Sequence, residues 1–335
     1  MSASRILIVR LGSLGDIIHT LPAAAAIRRA FPDAIIDWLV DVRQQEVLEL
    51  VPVIDRRIPV NITGPRAIYS IAAELRRGRY DIALDFQGLL KSAVLARVSG
   101  ARRAVGFPSE LLRERAARLF YTESAGDAGP HVIDKNLSML KAIGVRMPSV
   151  EFPLDDRSPA IAAEARARLG IGRQDRFAVI NPGAAWPNKC WPPVYFAEVA
   201  RGLAKRHALR SLVIWGPGEQ RLADDVVSAS DGSAAVAPST TIADLVSLLK
   251  AASLMVSGDT GPLHVAGAVG TPLVGIFGPT DPARNGPWAD DDLTVSRYRA
   301  CECHYQRRCH ISGWCLLDIS PREVMELADK RLHRG

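Results

Sequence analysis

The sequence predicts an α/β protein made of two doubly wound halves, each a parallel sheet covered by helices on both faces. Three observations predict it. Short apolar runs of strand length alternate with longer stretches whose apolar residues recur at helical spacing, as in a buried parallel sheet. The alternation stops over residues 151–174, where Pro153, Asp155, Asp156, Ser158 and Pro159 break it before an Ala/Arg-rich helix, and it restarts at residue 177. The chain has 335 residues, too many for one ordinary core and suited to two. The expected boundaries are 1–155, 156–319 and a closing helix over 320–335.

In the first half, residues 6–11 read as the opening strand and Gly12-Ser13-Leu14-Gly15-Asp16 as a glycine-bearing loop. Ile17, Leu21, Ala24 and Ile27 then fall near helical spacing until Phe31-Pro32-Asp33 ends the run. Further strands are expected at 35–40, 56–60, 80–86 and 102–107. Helices are expected at 47–50, 67–77, up to 98, 111–121 and 131–144, the one at 111–121 carrying Arg113, Arg115 and Arg118. In the second half the strands are 177–180, 211–215, 234–237, 254–257 and 272–277, with helices at 195–207, 219–228, 241–250 and 262–270. The last helix opens with Ser320 as cap, Pro321 in its first position and Glu323 three residues after the cap. Ligands of doubly wound sheets sit beyond the carboxyl ends of the strands, so the expected site lies in a cleft between the halves.

A net charge of +6 favours anionic ligands or an anionic membrane surface and is too mild to argue for nucleic acid, for which no module spacing appears. Every long apolar run is interrupted by charge, and the N-terminus enters a strand without the layout of a signal peptide, so a cytoplasmic protein is expected. Five cysteines, four of them between residues 301 and 315, do not form a secreted disulfide framework.

The stretch Ser257-Gly258-Asp259-Thr260-Gly261-Pro262-Leu263-His264 joins a strand to a helix with Pro in its first turn. Two glycines allow close backbone approach, and the helix start offers N–H groups and a positive dipole end to an anion such as a diphosphate. The alternative is a plain turn capped by Asp259 or Thr260. Asp16 is either a carboxylate able to take a proton from a hydroxyl or the cap of the helix that follows. Lys189, set among Trp186, Trp191 and three prolines, is either a phosphate contact or a surface lysine lying over tryptophan. Glu219 either receives ribose hydroxyls or is a first-turn acid, and His264 reads as a structural histidine. The glycine spacing fits neither the dinucleotide fingerprint nor a P-loop. Cys301, Cys303, Cys309 and Cys315 are either zinc ligands or reduced, partly buried thiols.

These segments together resemble glycosyltransferase family 9, the lipopolysaccharide heptosyltransferases, and most of all its heptosyltransferase I branch. The opening run from Gly12 to Ala23, Asp85-Phe86-Gln87-Gly88-Leu89-Leu90-Lys91-Ser92 and Lys189-Cys190-Trp191-Pro192 carry the likeness, with Gly258-Asp259-Thr260-Gly261 and Phe277-Gly278-Pro279-Thr280-Asp281-Pro282. The resemblance implies a GT-B fold, two facing Rossmann-like domains with the last helix returning to the first. It implies inverting, metal-independent transfer of heptose from ADP-heptose to a lipid-linked Kdo or inner-core sugar at the inner face of the cytoplasmic membrane, with no cofactor required. It makes Asp16 the general base and Lys189 the diphosphate contact. It places Ser13, Gly15, Ala184, Ala185, Glu219, Asp259, Thr260, Gly261 and His264 on the donor side, and Gln87, Lys91 and Arg113 on the acceptor side. Ala184 and Ala185 stand where heptosyltransferase I has paired threonines, and the Cys-rich tail is more like that of heptosyltransferase II relatives. The other readings are a family 9 transferase for another nucleotide sugar and a non-catalytic nucleotide-binding protein of the same fold.

Overall fold

The computed structural model describes residues 4–146, 148–310 and 313–334, and the chain divides after Asp155 into two compact units. The first unit contains β1 (Arg5–Val9), β2 (Ile35–Asp41), β3 (Arg56–Val60), β4 (Ile82–Asp85), β5 (Arg103–Gly106) and β6 (Glu123–Ser124), ordered β3-β2-β1-β4-β5-β6. The second contains β7 (Phe177–Asn181), β8 (Arg210–Val213), β9 (Ala234–Val236), β10 (Leu254–Gly258), β11 (Leu273–Phe277) and β12 (Leu293–Ser296), ordered β12-β11-β10-β7-β8-β9. All strand pairs are parallel. Each sheet therefore has the doubly wound Rossmann order. The central strands are buried on both faces, which is why they read as continuous apolar runs rather than alternating ones. The edge strands β6 and β12 are short and partly polar, and the sequence reading missed both.

The order positions the sites. In the first sheet β1 lies between β2 and β4, with Val9 opposite both Leu39 and Asp85. In the second, β7 lies between β10 and β8, with Asn181 opposite Ser257. The chain leaves β1 and β4, and likewise β7 and β10, toward opposite sides, which opens a crevice at their carboxyl ends. The loops after these four strands carry most of the predicted site residues.

The single helix expected from Ile17 to Ile27 is two, α1 (Leu14–Ile18) and α2 (Leu21–Ala30). Pro22 lacks the N–H that would continue α1, and Thr20 Oγ1 instead donates to the Asp16 carbonyl at 2.8 Å. After α3 (Pro65–Arg77) and α4 (Leu90–Val98), the basic helix expected over 111–121 is replaced by two 3₁₀ segments, Ser109–Leu111 and Arg115–Phe120. Tertiary partners override propensity there: Leu112 is buried, and Glu114 accepts from the Leu90 N–H at 2.6 Å. Residues Val42–Leu50 are also 3₁₀, and the expected 131–144 helix is α5 (Val132–Met139) followed by a 3₁₀ turn that Gly144 ends at φ 82°.

The second unit holds α6 (Ile161–Leu169), α7 (Pro193–His207), α8 (Gln220–Ser228), α9 (Ile242–Ala251), α10 (Gly261–Ala268), α11 (Pro282–Asn285) and α12 (Pro321–His333). α7 ends in Lys205, Arg206 and His207, which suit the negative end of its dipole. Ser320 and Glu323 form the capping box of α12, with the Ser320 N–H donating to Glu323 Oε2 at 2.9 Å. α12 packs on α7, β11 and β12, adding Val324, Met325 and Ala328 to the second unit's core. No described helix is long and apolar enough to cross a membrane.

Candidate functional site

The first unit's group forms at the end of β1. Arg10 directly follows that strand, and its guanidinium is buried. Nη1 donates to the Phe86 carbonyl after β4 and Nη2 pairs with Asp16 Oδ1. Asp16 is the third residue of α1, and its Oδ2 accepts from the Ser13 N–H at 3.0 Å and from Ser13 Oγ at 3.1 Å. Both readings of this residue are therefore compatible with its place: it caps α1, and its side chain is still 40% exposed, so a substrate hydroxyl can reach it.

Of the residues that the resemblance places on an acceptor side, two are held by hydrogen bonds within the first unit. Gln87 Oε1 accepts from the Leu11 N–H at 2.7 Å, tying the β4 loop to the β1 loop. Lys91 Nζ donates to the Ile62 carbonyl at 2.8 Å, while Arg113 is exposed between its two 3₁₀ segments. Under this loop lies Asp85, fully buried, accepting from the Gln87 and Gly88 N–H groups, Ser92 Oγ and Tyr121 Oη. Burial pushes its carboxyl up, and the four donors only partly offset that.

The second unit's group is centred on Asp259, the residue after β10. Its Oδ2 accepts from Lys189 Nζ at 2.6 Å and from Thr280 Oγ1 at 2.6 Å. Its Oδ1 accepts from Asn285 Nδ2 at 3.0 Å and faces His264 Nε2 at 3.3 Å. Burial alone would raise the Asp259 pKa, but the His264 hydrogen bond and the Lys189 charge hold it well below the usual carboxylate range. Lys189 Nζ also reaches the Asp259 carbonyl and lies 4.5 Å from the centre of the Trp186 ring. Lys189 is thus an ion-paired, largely buried ammonium that also lies over tryptophan, as one of its two readings expects, and Asp259 is a hub rather than a cap. The close approach explains Gly258, where a Cβ would lie 2.9 Å from the Lys189 carbonyl oxygen.

Thr260 holds the N-cap position of α10, but its hydroxyl accepts from Asn181 Nδ2 at 2.9 Å and no side chain caps the helix. Gly261 and Pro262 follow in the first turn, and since Pro262 has no N–H, the amides an anion can use there are those of Gly261 and Leu263. Glu219 turns its carboxylate back onto the Gly216 N–H at 3.0 Å and fills the space beside Gly183, where a Cβ would meet Oε2 at 2.1 Å. Ala184 is half-buried and Ala185 exposed, on the loop between Gly183 and Trp186.

Cys301, Cys303, Cys309 and Cys315, read as zinc ligands or as reduced thiols, come together in the structure. Three of the thiols form a small buried cluster with Cys309 packed against it, but among the described residues no group of three or more His, Cys, Asp or Glu side chains is placed to hold a metal ion. Burial and the neighbouring Cys301 thiol push the Cys315 thiol up to about 12. Arg10 and Asn285 are the members of these groups that no sequence pattern singles out as site residues, while Asp85 and Thr280 stand in the segments that carry the family likeness without being assigned a place at the site. For Arg10 the one local signal is a charge directly after an apolar strand.

A family model described as glycosyltransferase family 9 (heptosyltransferase) matches residues 68–315. Lipopolysaccharide heptosyltransferase 1 of Pseudomonas aeruginosa is 29% identical to the chain over 318 residues, covering 91% of it and 87% of that protein. Lipopolysaccharide heptosyltransferase 1 of Salmonella typhimurium is 30% identical over 304 residues, covering 86% and 93%. The crystal structure of the glycosyl transferase family 9 protein from Veillonella parvula superposes with a TM-score of 0.84 at 25% identity, covering 100% of this chain and 99% of that one.

Proposed function

The chain belongs to glycosyltransferase family 9, and we propose that it is a lipopolysaccharide heptosyltransferase of GT-B fold moving heptose from ADP-heptose to a Kdo or inner-core acceptor. The observation that carries this reading is the Lys189–Asp259 pair at the β7/β10 crevice, beside a helix start that no side chain caps. A sugar diphosphate leaves as an anion, so the site must stabilise negative charge as the anomeric bond breaks. Lys189 supplies a point charge and the first turn of α10 supplies amide N–H groups, so the reaction needs no cofactor. Asp16 accepts the proton of the attacking acceptor hydroxyl. Attack from the face opposite the diphosphate inverts the anomeric centre. Glu219 lies on the β8 loop of the same crevice edge, which suits the nucleoside.

Lys189→Ala tests the donor half. It is expected to weaken ADP binding by at least tenfold and to lower turnover, as measured by titration calorimetry and ADP release. Wild-type affinity in that variant would return Lys189 to a structural pairing with Asp259.

The acceptor is lipid-linked in this proposal, and the chain works at the inner membrane face. Arg113, Arg115 and Leu119, the last 83% exposed, are all exposed within one short stretch of chain, which suits an anionic lipid surface. Flotation with vesicles containing phosphatidylglycerol is expected to fall on Arg113→Glu/Arg115→Glu substitution and with added salt. Binding indifferent to both would remove this surface from the proposal.

A further inference from the structure

The cysteine-rich stretch, residues 301–310 and 313–319, takes no part in the proposed reaction, yet it holds the loop that bears Lys189. That loop has little structure of its own: Pro187–Lys189 is a three-residue 3₁₀ turn with no side-chain cap. Its neighbours are fastened from outside. Asn188 is buried, and its Nδ2 donates to the Gln306 carbonyl at 2.9 Å and to Cys309 Sγ at 3.6 Å. The Cys190 carbonyl accepts from Trp314 Nε1 at 3.2 Å, and Trp191 Nε1 donates to the Ile319 carbonyl at 3.0 Å. The Lys189 side chain reaches Asp259 instead.

The stretch is itself anchored where Asp259 finds its partners. The Tyr305 N–H donates to the Pro279 carbonyl at 2.9 Å, next to Thr280. A Cβ at Gly278 would lie 3.0 Å from Cys315 Sγ, so the buried thiols sit directly on that loop. One segment thus touches both the loop that carries the lysine and the loop that steadies its carboxylate.

We propose that the cysteine-rich segment is a strap that positions Lys189, with Asn188 and Trp314 as the positioning residues whose hydrogen bonds fix the ammonium for the donor diphosphate. The proposal rests on the donor role of Lys189 given above. Losing one buried hydrogen bond and leaving its partner unmet lowers an equilibrium by about tenfold when the ordered loop is what binds.

The test is a double-mutant cycle in the full chain, with ADP as the probe in titration calorimetry. Asn188→Ala and Trp314→Phe are each expected to weaken ADP binding about five- to tenfold. In a Lys189→Ala background the same substitutions are expected to cost less than twofold more, because they act through the lysine. Trp314→Phe keeps an aromatic ring while removing the N–H donor, and it decides the matter if Asn188→Ala fails to fold, as judged by thermal unfolding. Wild-type affinity in the single variants overturns the strap, and so does an equal loss with and without Lys189. If Lys189→Ala by itself leaves ADP binding unchanged, the donor role fails and the strap with it, a result distinct from the other two.

Discussion

Asp16→Asn is expected to lower kcat by roughly 10²- to 10⁴-fold, the range that a positioned general base contributes. Asparagine is chosen over alanine because Asp16 has two duties that must be separated. It completes the capping box of α1 from the third helical position by accepting from the Ser13 N–H and hydroxyl, which an asparagine oxygen can also do. It also carries the charge opposite Arg10, a buried guanidinium whose other bond holds the Phe86 carbonyl. Asparagine keeps the acceptor for Ser13 and removes the basicity, but it also turns an amide donor toward Arg10, so the melting temperature must be measured beside the activity. A variant that melts near the wild type, binds ADP normally and no longer transfers sugar isolates the proton-accepting role. Activity within a few-fold of the wild type would leave Asp16 as a cap.

Asp259→Ala is expected to destabilise the second unit by about 3–5 kcal/mol, the cost of leaving one partner of a buried ion pair without the other. The estimate uses the buried end of that range because the pair is sequestered: the Lys189 side chain is 15% exposed and that of Asp259 3%. Thr280, Asn285 and His264 would lose their acceptor as well. Chemical denaturation followed by tryptophan fluorescence measures this, since Trp186, Trp191 and Trp215 all belong to the second unit. The pH dependence has a definite sign. The Asp259 pKa is depressed in the folded state, so its contribution is complete above the unfolded carboxylate pKa of about 4 and is lost as pH falls through the folded value. Asp259→Asn should therefore flatten the acid limb of the stability curve below about pH 4. A loss under 1 kcal/mol would mean that the pair contributes little beyond its own desolvation.

Much of the fold was legible because the information is local. The apolar runs at β1, β7 and β10 are buried on both faces, and Ser320, Pro321 and Glu323 announce α12 within four residues. The failures come where distant partners decide. Glu114 is claimed by the Leu90 N–H and Leu112 by the core, so a stretch with helical spacing became two 3₁₀ turns. The break between α1 and α2 was signalled by Pro22, which the helical spacing of Leu21 and Ala24 masked. At the site, spacing pointed to Asp16, Lys189 and Asp259 separately, but not to the bond between the last two, which spans 70 positions. Thr280 and Asn285 reach Asp259 from 21 and 26 residues away, and no local pattern announces that. The family likeness rested on several segments occurring in order, and that is information that periodicity does not contain.

Sugar transfer from an ADP-linked heptose is tested by supplying the purified chain with a panel of ADP-, GDP- and UDP-sugars and a Kdo-terminated lipid acceptor. ADP-heptose alone is expected to give nucleotide release that depends on the acceptor, with an acceptor product heavier by one heptose. Release from a GDP- or UDP-sugar instead, or no acceptor-dependent release from any donor, would contradict that transfer.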